Sequence, residues 1–458
     1  MEKNQLIELT IKDQSKDGRG IGSCEGLIVF VDGCVLGDRV SARVTKLKKR
    51  YAIAKVEEII ELSEYRLDDV CPYIDECGGC AFGRLKYDVQ LELKERHVRD
   101  VLERIGGIEG PKLEPIISME TPYNYRNKAR LAICHKTRSV GFLERLSHKV
   151  VDCRECRLQS EAVVAVADAL RASFDECEDA KKIKNLVVKT SFSSGEVMVV
   201  PTVEEKDVDL ESFIYAVDES INAIPSFDDG FEYYLSSVAL DITDKKPSKQ
   251  HKNRAEIIAG RHVIEDEMLG LRFEISPYSF YQVNPVQAER LYKKAVEYAG
   301  IKGGETVLDL YCGVGTIGLF MAKAGAGKVI GIELVKEAVL NANRNAVING
   351  IVNAIYYTGK AEEELPRLRE EGEIEKADVV ILDPPRKGCD EALLKAVLDT
   401  EADRIVYISC DPATMSRDVK YLVENGYEYV KGTPVDMFPH TGHVEAVTLL
   451  VKSGTDAN

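Results

Sequence analysis

The chain has 458 residues, 45% of them apolar, and a formal net charge of −16 at pH 7. That length suits about three domains, and no apolar run approaches the roughly 18–20 residues that a membrane-spanning helix needs. The first residues show no signal-peptide pattern, so a cytoplasmic setting is expected, in which thiols stay reduced and twelve cysteines favour metal ligation or catalysis over disulfides.

Residues 1–60 hold short apolar runs broken at Asp17-Gly18, Asp32-Gly33 and Gly37-Asp38, with Leu27-Ile28-Val29-Phe30-Val31 the clearest strand. Four or five short strands with tight turns predict a small, OB-like β-barrel. Between positions 39 and 55 lie seven bases (Arg39, Arg43, Lys46, Lys48, Lys49, Arg50, Lys55) and no acid. A basic patch on an acidic chain suits site-directed binding of a polyanion.

Residues 61–265 read as an α+β region, with a helix over 87–105 and strands over 186–191 and 197–203. Cys71, Cys77 and Cys80 are spaced C-x₅-C-x₂-C, and Cys153 and Cys156 follow later. Three thiolates from one loop and one from a distant segment make a four-sulfur site, and spacing alone suits zinc or an iron–sulfur cluster equally. Lys245, Lys246, Lys249, Lys252 and Arg254 form a second basic stretch in a polar loop.

From about 266 to 458 strand–helix alternation takes over, with strands expected over 306–310, 328–333, 378–382 and 404–409. Repeated βα units imply a parallel, doubly wound, Rossmann-like sheet. After the first strand comes Gly313-Val314-Gly315-Thr316-Ile317-Gly318, a G-x-G-x-x-G whose glycines let the backbone approach a ligand. Glu333 ends the next strand, placed for ribose hydroxyls. This fits a dinucleotide or S-adenosylmethionine (SAM). Asp383-Pro384-Pro385 ends the third strand and favours SAM, because hydride transfer has no need of that acid. The fourth strand ends at Ser409-Cys410-Asp411-Pro412, which sets the Cys410 thiol at the carboxyl edge where open α/β sheets bind ligands.

Taken in order, Phe280-Tyr281-Gln282-Val283-Asn284, Asp309-Leu310-Tyr311-Cys312-Gly313-Val314-Gly315, Asp383-Pro384-Pro385-Arg386 and Ser409-Cys410-Asp411-Pro412 resemble the motif set of the RNA uracil-5-methyltransferases. The resemblance implies that Gln282, Tyr311, Glu333 and Asp383 bind SAM. Uracil C5 is too weak a nucleophile to take a methyl group unaided. A thiolate adding to C6 gives C5 carbanion character, which is covalent catalysis, and Cys410 supplies the thiol. A base must then remove the C5 proton. On composition His440, His443 or Glu445 could serve, and the resemblance assigns Glu445, a carboxylate expected to be ionised at pH 7 if its pKa is ordinary. Cys312 and Cys389 read as small packing residues.

The resemblance also turns the cysteine set toward a [4Fe–4S] cluster held by Cys71, Cys77, Cys80 and Cys156, with Cys153 an extra thiol outside the pattern. Relatives with this spacing carry a TRAM domain, an RNA-binding barrel that residues 1–60 resemble. Both features imply 23S ribosomal RNA as substrate, transfer RNA being the alternative. An NAD-dependent oxidoreductase with an iron–sulfur centre is the competing class, and it leaves Cys410 and Asp383-Pro384-Pro385 without a role.

Overall fold

Along Leu6–Thr10 every second side chain is buried, Ile7 and Leu9 facing inward, the period of a strand with one face on a core. The computed structural model describes residues 1–145, 147–226, 231–243 and 254–454, and in it six strands form the first sheet. Their order is Leu6–Thr10, Arg39–Leu47, Tyr51–Glu61, Leu27–Asp32, Gly20–Cys24 and Asp13–Gln14. Leu27–Asp32 and Tyr51–Glu61 are parallel; the other neighbours are antiparallel. One more strand is present than the turn pattern predicts, because Asp13–Gln14 is too short to leave a periodic trace. The basic run is also less naked than it reads. Arg39 pairs with Glu8 and Glu61, and Arg43 with Glu57, all from neighbouring strands. Lys46, Lys48, Lys49 and Arg50 remain exposed around the following hairpin.

The middle of the chain builds a seven-stranded sheet in the order Arg254–Gly260, Tyr234–Ile242, Glu196–Val203, Asn185–Thr190, Lys128–Cys134, Ser139–Leu143 and Val150–Asp152. Helices Glu161–Glu176 and Glu211–Asn222 bury Val166, Leu170, Phe213 and Val217 in a core with Leu131, Val188 and Val199 of this sheet. The second basic stretch lies outside the described residues from Lys245 to Lys252, as does the Arg254 side chain.

The helix expected at 87–105 is found as Tyr87–Arg104. Its Val98 and Leu102 enter a core made by the C-terminal sheet rather than the central one. Leu113 and Ile117, just beyond it, bridge to Gly432 and Val435 of that sheet.

The C-terminal sheet runs Ala354–Thr358, Lys328–Glu333, Thr306–Leu310, Val379–Leu382, Arg404–Ser409, Glu445–Lys452 and Tyr427–Val435. The first five strands are parallel, and the inner ones Lys328–Glu333, Val379–Leu382 and Arg404–Ser409 are buried and apolar at their centres, as strands covered on both faces must be. Glu445–Lys452 inserts antiparallel between Arg404–Ser409 and Tyr427–Val435. The expected all-parallel pattern therefore stops at Arg404–Ser409, since a strand reached by a short return must run the other way. Among the described residues no helix is long and apolar enough to cross a membrane.

Candidate active site and thiol cluster

Antiparallel pairing sets Ser409 opposite Ala446, so Cys410 and Glu445, the next residues along their strands, face each other across the sheet end. Asp383 follows the adjacent strand Val379–Leu382, and its charge acts on both. The sequence-derived thiol, base and cofactor acid thus meet in one crevice.

Their electrostatics correct one expectation. Glu445 is buried, and that burial, with Asp383 beside it, pushes its carboxyl up to about 8. Asp383 retains some surface but is enclosed by protein and rises to about 7. Glu445 therefore holds its proton at pH 7 in the free protein instead of standing ionised, because two acids cannot both be charged cheaply in a dry crevice. Cys410 is half-buried, and desolvation, then Glu445 and Asp383, raise its thiol, while Arg386 acts the other way. His440 and His443 are both pulled down to about 4 by burial, so neither carries a proton near neutrality.

The glycine loop lies beside this crevice. Tyr311 closes strand Thr306–Leu310 at φ 64, a left-handed conformation unusual for a bulky residue. A Cβ at Gly313 would meet nothing within 4 Å, so the loop opens on free space there. Glu333 accepts from the Gly313 amide at 3.2 Å and the Val335 amide at 2.8 Å, and a carboxylate bonded this way keeps lone pairs for ribose hydroxyls. Asp309 was quoted within a motif but given no role. It is fully buried, one oxygen accepts from the Gly318 amide at 2.8 Å, and the other has no partner. Desolvation first, then Asp383 and Glu333, lift it to about 7. An acid inside an apolar strand was its sequence signal. Cys312 and Cys389 are buried, consistent with packing roles. Open backbone, an unsatisfied buried acid and a ribose-type carboxylate together fit SAM.

Other supports escaped the sequence reading. Segment 436–443, which leads into Glu445, is held by helix Tyr87–Arg104. Lys94 is buried against Asp436 at 2.5 Å and donates to the Phe438 carbonyl, and Gln90 accepts from the His440 amide. Phe82, two residues after Cys80, donates its amide to the His440 carbonyl at 2.9 Å. From the first sheet, Lys16 pairs with Asp411 at 3.1 Å, and a Cβ at Gly442 would fall 2.1 Å from the Lys16 carbonyl. Beside these contacts opens a cavity of about 1320 Å³ lined by Lys16, Arg19 and Lys55 of the first sheet, Arg126 and Arg145 of the middle region, and Arg386 and His443 of the last, with Asp17 and Asp32 also in the lining and paired to Arg145.

The cysteines named for a metal also converge. Cys71, Cys77, Cys80 and Cys156 influence one another's ionisation, with Arg126 acting on the last three. Cys153 donates to the Cys77 sulfur and draws that thiol below its ordinary range, while burial pushes Cys80 up to about 12. Cys153 is therefore part of the group rather than a bystander. Among the described residues, no three His, Cys, Asp or Glu side chains close tightly enough to hold a single metal ion.

The sequence profile described as tRNA (uracil-5-)-methyltransferase matches residues 86–453, and that of the TRAM domain matches residues 2–56. An uncharacterized RNA methyltransferase of Caldanaerobacter subterraneus subsp. tengcongensis is 41% identical over 457 residues, spanning 97% of this chain and 98% of that one. Another, of Halalkalibacterium halodurans, is 37% identical over 460 residues, spanning 98% of each. Among solved structures, the Pyrococcus abyssi tRNA (uracil-54, C5)-methyltransferase in complex with S-adenosyl-L-homocysteine superposes with a TM-score of 0.72 at 28% identity, over 97% of this chain and 100% of that one.

Proposed function

The chain belongs to the tRNA (uracil-5-)-methyltransferase family and carries a TRAM domain, and from that premise we propose that it methylates C5 of a uridine in 23S ribosomal RNA through a covalent adduct. The observation that carries the mechanism is the facing pair Cys410 and Glu445 at one sheet end. A thiol and a carboxylate on neighbouring strands can reach opposite sides of a flat base: one adds to C6 and the other takes the proton from C5.

SAM supplies an electrophilic methyl group when bound, and Gln282, Tyr311, Gly313, Gly315, Glu333 and Asp383 are the residues that would hold it. Cys410, having given its proton to solvent, forms the S–C6 bond as a thiolate, electron density moves to C5, and C5 accepts the methyl group, leaving S-adenosylhomocysteine. Glu445, as the carboxylate, then takes the C5 proton and the S–C6 bond breaks, releasing the thiolate, which regains a proton from solvent. To act as a base Glu445 must first lose the proton that burial keeps on it. A positive charge entering the crevice favours that loss. The uracil must be extruded from its stack to reach Cys410, at a cost of a few kcal/mol. The basic cavity shared by all three regions offers contacts to offset that cost.

The TRAM domain and the cysteine set support ribosomal RNA. The P. abyssi tRNA enzyme, aligned over nearly all of this chain, favours the transfer-RNA reading instead. Mapping 5-methyluridine in both RNAs from a deletion strain decides between them: loss from 23S RNA alone is expected, and loss from transfer RNA alone sinks the assignment.

We further propose a [4Fe–4S] cluster on Cys71, Cys77, Cys80 and Cys156. Thiols gathered around a buried arginine suit an anionic cluster. The location consistent with these thiols is the cytoplasm.

A further inference from the structure

Lys189 sits on strand Asn185–Thr190 of the central sheet, 4% exposed, and its cross-strand partner is Lys128. Like charges directly opposite on a sheet destabilise it. Among the described residues no carboxylate forms an ion pair with Lys189. Its amine donates only to two backbone carbonyls, Ser276 at 2.7 Å and Ser279 at 3.0 Å. Burial, reinforced by Lys128, pulls the amine down to about 7. A buried amine facing another lysine is a local arrangement that packing alone would not select.

The two carbonyls belong to the turn that opens segment 276–284, which carries Gln282. Asn127, adjacent to Lys128, grips the other end of the segment: its side chain donates to the Gln282 carbonyl at 3.0 Å and its amide to the Val283 carbonyl at 2.9 Å. The Asn127 carbonyl in turn accepts from the Thr190 amide at 2.8 Å, next to Lys189. On the far side Asn341, from helix Lys336–Ile348 that follows Glu333, donates to the Ser279 hydroxyl at 3.1 Å. Two adjacent central strands thus clamp a segment of the catalytic region at both ends, and this clamp touches both sides of the proposed donor pocket.

We propose that Lys189 and Asn127 are positioning residues for the methyl donor: the central sheet sets the segment that presents Gln282, so donor affinity depends on a region outside the catalytic domain. This rests on the assignment of Gln282 to the donor pocket.

Lys189→Met keeps an unbranched side chain one atom shorter, removes the buried amine and ends the clash with Lys128. The purified full chain carrying it is expected to fold with an unchanged or raised Tm. Its S-adenosylhomocysteine Kd, measured by calorimetry, should rise about tenfold, the size expected for losing about one positioning hydrogen bond. Hydrogen exchange should quicken across 276–284. Asn127→Ala should show the same selective loss, and KM for SAM should rise in both variants with kcat at saturating donor within about twofold of wild type. Unchanged affinity in either variant overturns the proposal. So does a Lys189→Met chain that fails to fold, or one whose Tm and saturated kcat fall together, since either marks a purely structural lysine. The binding measurement needs no RNA, so an error over the RNA substrate would leave its result intact.

Discussion

Cys410 and the group of Cys71, Cys77, Cys80, Cys153 and Cys156 lie in surroundings of opposite sign. Cys410 faces Glu445 and Asp383, and burial together with these acids holds its proton on. The grouped thiols Cys77, Cys80 and Cys156 share Arg126, whose charge favours the thiolate, although burial outweighs it and raises Cys80 and Cys156, and only Cys77 falls, chiefly through Cys153. Resident ligation needs thiolates stabilised at all times and several at once. A nucleophile that must be released after each turnover gains from being a thiol at rest, reactive only when substrate and a positive donor reshape its field. The number of neighbouring sulfurs and the charges beside them distinguish the two uses proposed for this side chain.

The strongest way to break this division is Cys410→Ala, which should lower methylation of a 23S transcript by roughly 10⁴-fold or more. Residual activity within tenfold of wild type would remove Cys410 from the chemistry. Next in size, Glu445→Gln should slow turnover by about 10²–10⁴-fold and trap a denaturant-stable protein–RNA adduct with ordinary uracil, because C5 deprotonation precedes thiol release. Absence of the adduct in a folded variant would move the base elsewhere. On the other side of the division, anaerobically purified protein should contain about four irons and four sulfides. Cys156→Ala should lose most of that iron and Cys153→Ala should keep it. The reverse pattern would exchange their roles, and a colourless zinc protein would end the cluster assignment.

The smallest effect is a pH dependence. Asp309 and Asp383 rise to about 7 and Glu445 to about 8. Between roughly pH 4 and 8 the folded protein therefore binds protons that the unfolded chain has released. Stability present below the ordinary carboxyl pKa is lost as pH climbs through 7–8. The donor-free protein should melt a few degrees lower at pH 8.5 than at pH 6, and Glu445→Gln should flatten that slope. A Tm that rises over the interval would contradict the burial of these acids.

Much of this site was legible because four of the five parallel strands end at or near a residue proposed for it. An apolar run followed by Gly313, Glu333, Asp383 or Cys410 marks a sheet edge by local pattern alone. What stayed hidden depends on partners far apart in sequence. The Glu445–Lys452 strand is as apolar as its neighbours, yet nothing local says that it runs antiparallel beside Cys410. Helix Tyr87–Arg104 was visible as a helix, but its docking through Lys94 and Asp436 was not. The protonation of Glu445 was misjudged for the same reason. An ionised carboxylate was the expectation for an ordinary environment, and the shift arises from Asp383 and from burial, both properties of the assembled sheet.

The junction of Lys16 with Asp411 and Gly442 has a consequence for how the protein is made. The turn bearing Lys16 leaves the ribosome early, whereas Gly442, the close backbone neighbour of its carbonyl, is added more than four hundred residues later. Domains fold as they emerge, so the first sheet can form and wait, but its docking junction stays incomplete until the last strand pair is synthesised. Nascent chains stalled before that point lack Glu445, the acid across the sheet end from Cys410. The sequence order of the chain thereby delays assembly of the methylating centre until translation is nearly complete.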